Sequence, residues 1–275
     1  FLLLVNLPLS SYSAEPFLDE IVVTANKQEQ PVRDIASSIS SLSSEELQTI
    51  SPIHINEALH RVPGVWISRG NGQEHLTAIR SPVLTGAGSC GAYLMMQDGI
   101  SLRAPGFCNV NELFESTSEL AERIETLKGP GSNVHGSNAL HGSINVITPG
   151  IDPGLNRIRL EAGPHDYLRL RYAASTQTLR LDASGSTDGG YKDNSGFDQQ
   201  KLLLKHEHPR ATTVFSYTNL NQETAGFIRG DEVYKNSGQK RDNPNPEAYR
   251  DARSFRLVSD IQSSFGNGNL TWRPY

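Results

Sequence analysis

The sequence has no apolar run of 18 residues or more, so no segment reads as a membrane-crossing helix. That absence leaves a membrane barrel open, because barrel strands alternate and give a weak hydropathy signal. Charge of one sign is lacking too. Lys and Arg number 25 against 30 Asp and Glu, a net charge of −5 with no basic cluster, which argues against nucleic acid as a partner. The catalytic patterns GxSxG, HExxH and CxxC are missing. The spacing from Gly131 to Ser137 echoes a phosphate loop but has no lysine at the required place. The eight histidines are scattered, and His206 and His208 suit a solvated strand better than a metal. No enzyme activity, metal or cofactor is therefore expected.

Cysteine is scarce, at two residues, Cys90 and Cys108. In an oxidising compartment such a pair reads as a disulfide closing a short loop, worth on the order of 3 kcal/mol. Two buried free thiols are the other reading. Phe1 to Leu9 is an apolar run followed by SSYSAE. It reads as the later part of a secretory signal peptide, residues 1–14, with cleavage near Ser13 or Ala14. A buried strand is the alternative. Export would supply the oxidising compartment.

What the chain does have is two textures that meet near Pro149. In residues 15–30, DEIVVTA is a short β-branched run among polar residues. By position it fits equally an edge strand or a mobile peptide that adds to another protein's sheet edge. Residues 31–150 mix short elements. Ile39 to Leu42 reads as a strand, and Ser43 with Glu46 has capping-box spacing for a helix. Ile55 to Arg61 reads as a second helix stopped by Pro63-Gly64. Val65 to Ser68, Leu76 to Arg80 and Ala92 to Gln97 read as strands, and Asp98-Gly99 as a tight hairpin turn. A short helical pattern at Glu119 to Glu122 leads into a strand at Arg123 to Leu127. A glycine-rich loop then ends in an apolar strand, Ser143 to Thr148. Glycines there let the backbone turn sharply and approach another surface closely.

Residues 151–275 alternate. Arg157 to Ala162, Leu168 to Tyr172 and Leu179 to Ser184 place apolar side chains on one face and Arg, Glu or Asp on the other. Looser strands follow at Phe197 to His208, Val214 to Asn221, Phe255 to Gln262 and Asn269 to Arg273. Charges on one face suit a wet or plugged lumen, and the apolar face suits lipid. About seven strands are expected, too few to close a barrel that holds a plug.

These residues resemble the TonB-dependent outer-membrane receptors. DEIVVTA is similar to the TonB box. PVRDIASSISSLSSEEL, INEALHRVPGVWISR, LTAIR and the QDGI turn follow the order of the plug domain, and RIETLKGPGSNVHGSNALHGSINVIT is similar to its closing signature. Two positions depart from the family pattern: Ser81-Pro82 replaces a glycine, and Lys128 replaces an arginine. The resemblance implies an α+β plug followed by antiparallel strands of a transmembrane β-barrel, about seven of about 22. It implies energised uptake of a scarce nutrient, an iron-siderophore or similar chelate, through an outer membrane of the Gram-negative kind, and no catalysis. The TonB protein would pair with Glu20, Ile21, Val22, Val23, Thr24 and Ala25 by strand addition. A small-molecule nutrient of the metal-chelate, haem or cobalamin class would contact Arg103, Phe107 and Asn109 on apical loops braced by Cys90–Cys108. Arg80, Arg123 and Glu125 would face the barrel wall, with Arg159 and Glu161 as their partners on its first strand. The surface that the glycine-rich loop approaches would, in a plug, be this barrel wall. Barrel lipid completes the list of partners. A surface binding or adhesion barrel without energised transport is the competing function.

Overall fold

In the computed structural model, residues 22–23, 30–69, 72, 75–83, 93–102, 114–266 and 268–275 are described. The first unit runs β1 (Val22–Val23), β2 (Gln30–Pro31), β3 (Ile39–Leu42), α1 (Ser44–Ile50), α2 (Ile55–Leu59), β4 (Val65–Arg69), β5 (His75–Ile79), β6 (Leu94–Gln97), β7 (Ile100–Ser101), β8 (Arg123–Lys128), α3 (Ser132–His135) and β9 (Gly142–Ile147). Its main sheet has the order β3-β8-β9-β6-β7, with β6 and β9 parallel and the other pairs antiparallel. The core gathers Leu42, Leu47, Leu59, Ile79, Met95, Ile124, Ile144 and Val146. Fully burying one such side chain contributes about 1.5–3 kcal/mol.

Local chemistry sets the element ends. The Ser43 hydroxyl accepts from the Glu46 N–H, and the Glu46 carboxylate accepts from the Ser43 N–H at 2.7 Å, which closes the capping box of α1. The second helix is shorter than its sequence pattern. Arg61 N–H and Val62 N–H donate to Ala58 and Leu59 carbonyls, so the last turn tightens before Pro63 and the positive-φ Gly64. Asp98 and Gly99 both have positive φ, as the tight β6–β7 hairpin requires. The helical pattern expected at Glu119 to Glu122 is a 3₁₀ turn at Ser118–Leu120. Ala121 is already extended because the strand starts two residues later.

The second unit is a seven-stranded antiparallel meander: β10 (Asn156–Ala162), β11 (Leu168–Ser175), β12 (Leu179–Asp188), β13 (Phe197–His208), β14 (Ala211–Glu223), β15 (Tyr249–Phe265) and β16 (Gly268–Trp272). Strand register builds an apolar outer face row by row. Tyr172, Ala183, Leu202, Tyr217 and Phe255 form one row, and Ala174, Leu181, Leu204, Phe215 and Leu257 the next. At the β10–β11 end the band includes Leu160 opposite Leu170; at the other end it includes Ile261 opposite Trp272. The band thus crosses the strands obliquely, as tilted barrel strands demand. Ile158, Leu160, Phe255 and Leu257 on this face are exposed.

The inner face is turned to the plug and buries Arg169, Asp182, Ser184, Lys201, Lys205, Ser216 and Thr218. It is not uniformly polar: Leu203 and Val214 are buried on it because they pack against Leu120 of the plug.

Gly142 does not approach the wall as the glycine-rich loop led us to expect. A Cβ there would lie 2.2 Å from the Leu127 carbonyl oxygen, so its close neighbour is the adjacent plug strand β8. Among the described residues no helix is long and apolar enough to cross a membrane, which says nothing of strands.

Candidate functional site: the plug–wall interface

The α1 helix ends at Ser51, whose φ of 51° lies in the left-handed region. The last carbonyls of any helix lack intrahelical donors and carry the negative end of its dipole. Here the wall supplies the donors. Arg159 donates to the Gln48 carbonyl at 3.0 Å, and Arg169 to the Ser51 and Pro52 carbonyls at 2.7 and 2.8 Å.

Glu161 sits among these guanidiniums. Strand register places it opposite Arg169, while Arg159 lies opposite Arg171. Its carboxylate accepts from Ser51 Oγ at 2.7 Å, from Arg171 at 3.0 Å and from Arg169 Nε at 3.1 Å. One carboxylate thus offsets three arginines, Arg159 and Arg171 facing each other across the ladder and Arg169 next along β11, and Arg169 is only 1% exposed.

The same pattern continues along the wall. Arg171 donates to the Glu119 carbonyl, and Arg180, held by Asp182 through two bonds, donates to the Gly150 carbonyl at 2.8 Å. Lys201 donates to the Ser116 carbonyl and pairs with the Glu119 carboxylate, both at 2.8 Å. Lys205 reaches the Thr148 carbonyl, and Arg256 the Ser101 carbonyl. Wall cations therefore grip mainly the plug's main chain. Such a bond from a buried cation contributes about 1.5–3 kcal/mol, and none of them depends on which plug side chain is present. Sequence reasoning missed Ser51, Glu119, Arg180, Lys201 and Lys205. The signal was available in part: Arg169, Arg171, Arg180, Lys201 and Lys205 all occupy inward positions of alternating strands.

Arg80, Arg123 and Glu125 lie in the plug. Arg80 donates to the Lys128 carbonyl at 3.1 Å and to Ser38 Oγ at 2.8 Å, and Arg123 pairs with Glu125 at 2.8 Å. Lys128 Nζ donates to Ser40 at 2.7 Å; burial, then the Arg80 guanidinium, lowers its pKa from the ordinary lysine value. The structure brings Arg159 and Glu161 to Gln48 and Ser51 of the plug. Val22–Val23 pairs antiparallel with Gln30–Pro31. Glu20, Ile21, Thr24, Ala25, Cys90, Arg103, Phe107, Cys108 and Asn109 lie outside the described residues. A cavity of about 640 Å³ separates the plug from β10–β12, lined by Gln48, Glu119, Glu122, Asp152, Arg171 and Arg180 among others. Among the described residues no group of three His, Cys, Asp or Glu is placed to hold a metal.

Residues 31–143 match the family model of the TonB-dependent receptor plug domain. The chain belongs to the TonB-dependent receptors. Among its relatives in this family is the vitamin B12 transporter BtuB of Vibrio vulnificus, 31% identical over 216 residues, which cover 76% of this chain and 34% of the relative. The chain thus spans about a third of that relative's length. The pyoverdine outer membrane receptor FpvA of Pseudomonas aeruginosa PAO1, bound to pyoverdine, shares the fold with a TM-score of 0.71. It is 16% identical, and the match covers 90% of this chain and 38% of FpvA. The ferric yersiniabactin uptake receptor FyuA of Yersinia pestis matches with a TM-score of 0.58 at 16% identity, over 82% of this chain and 38% of FyuA. The TonB-dependent receptor fold, a plug followed by an antiparallel strand sheet, is therefore the fold of this chain.

Proposed function

We propose that this receptor takes up a scarce metal chelate, of the cobalamin or iron-siderophore class, across the outer membrane with energy delivered by TonB. The observation that carries the reading is the plug itself, matched at residues 31–143 in a chain 31% identical to a vitamin B12 transporter. The outer face supports placement in lipid, since exposing Ile158, Leu160, Phe255 and Leu257 to water would be unfavourable. Glu20 to Ala25 would be the TonB-binding strand. Its affinity would come from main-chain hydrogen bonds, a mode that tolerates side-chain change but not proline. Arg103, Phe107 and Asn109 would contact the chelate above the plug, with Cys90–Cys108 bracing the two loops. Arg80, Arg123 and Glu125 would add wall contacts in the closed barrel of the whole receptor. Residues 31–150 would be the plug and 151–275 the start of the barrel.

The test is growth and uptake with one nutrient limiting at a time. Cells lacking the receptor should lose growth on limiting cyanocobalamin or on one ferric siderophore, and an uncoupler should stop accumulation while surface binding persists. Accumulation that survives the uncoupler would overturn the energised reading. Binding with no accumulation in energised cells would favour a surface-binding barrel.

A further inference from the structure

Lys201 and Glu119 form an ion pair in which each side chain is only 3% exposed. Lys201 is on wall strand β13; Glu119 is in the 3₁₀ turn Ser118–Leu120, outside the plug sheet. The same ammonium also donates to the Ser116 carbonyl. Two of its three protons are therefore committed to one short stretch of plug. That stretch is fastened from the plug side as well, because Thr117 donates through both its N–H and its hydroxyl to Gln97 Oε1 at 3.2 Å. Gln97 ends strand β6 of the plug sheet. Leu120 packs on Leu203 and Val214 of the wall. Residues 116–120 thus lie between sheet and wall, placed by side chains rather than by a strand ladder.

We propose that Lys201 is a positioning residue that fastens the Ser116–Leu120 turn to the wall. The turn is thereby held to the wall directly ahead of β8, and any bearing on ligand uptake rests on the proposed import function. Arg171 also reaches the Glu119 carbonyl, and Lys201 adds the bonds to the Ser116 carbonyl and the Glu119 carboxylate. Methionine at 201 leaves a buried carboxylate and a buried carbonyl without their shared donor. Arginine can serve both acceptors.

Hydrogen exchange on the full-length receptor in detergent micelles, without ligand, tests this. Lys201→Met should speed amide exchange across residues 114–122 by about tenfold or more, with residues 39–50 and 142–147 unchanged. Lys201→Arg should restore the parent rates. Glu119→Gln keeps the Ser116 bond and should give an intermediate rise. Unchanged exchange at 114–122 in Lys201→Met overturns the proposal. So does faster exchange spread over the whole plug, which would mean a general structural role. Failure of the import reading would appear instead in uptake by the unaltered receptor, which these rates do not measure.

Discussion

Glu161→Gln is expected to weaken the hold of the wall on the plug by about 3–5 kcal/mol, because it removes the only member of a buried charge cluster that is negative. Arg159, Arg169 and Arg171 surround that carboxylate, and Arg169 is almost fully buried. Glutamine keeps the shape and one acceptor but leaves the guanidiniums uncompensated. The check is the urea midpoint for loss of α1 protection in the whole receptor, with the barrel still folded. Arg159→Gln is the contrast. Its side chain is 42% exposed, and it should cost under about 1 kcal/mol. Equal effects from the two changes would mean that the cluster acts by surface charge alone.

Gly142→Ala is expected to destabilise the plug by about 3–4 kcal/mol. Two causes add. Gly142 has φ of 155°, at the edge of the region that favours glycine, and the new Cβ would meet the Leu127 carbonyl oxygen at 2.2 Å. That oxygen is ladder backbone, so the clash cannot be relieved by a side-chain turn. Gly136→Ala separates the two causes. Its φ of 79° and ψ of −150° are nearly confined to glycine but nothing lies within 4 Å of the added carbon, so it should cost only the backbone part, about 2 kcal/mol. Thermal unfolding of the receptor variants gives both values. A Gly142→Ala effect no larger than that of Gly136→Ala would contradict the close β8–β9 approach.

Much of the architecture was legible because its signals are local. Ser43 and Glu46 name the start of α1, Asp98-Gly99 names its hairpin, and the alternation of Arg157 to Ala162 names a strand with two unlike faces. The Phe197 to His208 strand begins and ends as its alternation indicates. The 3₁₀ turn at Ser118–Leu120 was less legible. Four residues do not separate one helical form from another when a strand follows at once. The wall contacts were least legible. Arg169 and Lys201 can be placed on the inner face from parity, but their acceptors are main-chain carbonyls of Ser51, Pro52 and Ser116. A carbonyl has no side-chain identity to read. Leu203 and Val214 show the converse. They break the polar pattern of the inner face, and only the position of Leu120 explains why.

The central proposal is that TonB, pairing with the N-terminal segment, supplies the energy for import. It is tested most directly by deleting Glu20 to Ala25 in the full-length receptor and measuring binding and periplasmic accumulation in the same cells. The probe is whichever of labelled cyanocobalamin or ferric siderophore the unaltered receptor accumulates. Binding should remain at the parent level while accumulation falls to that of uncoupler-treated cells. Accumulation at the parent rate without those six residues would contradict the account.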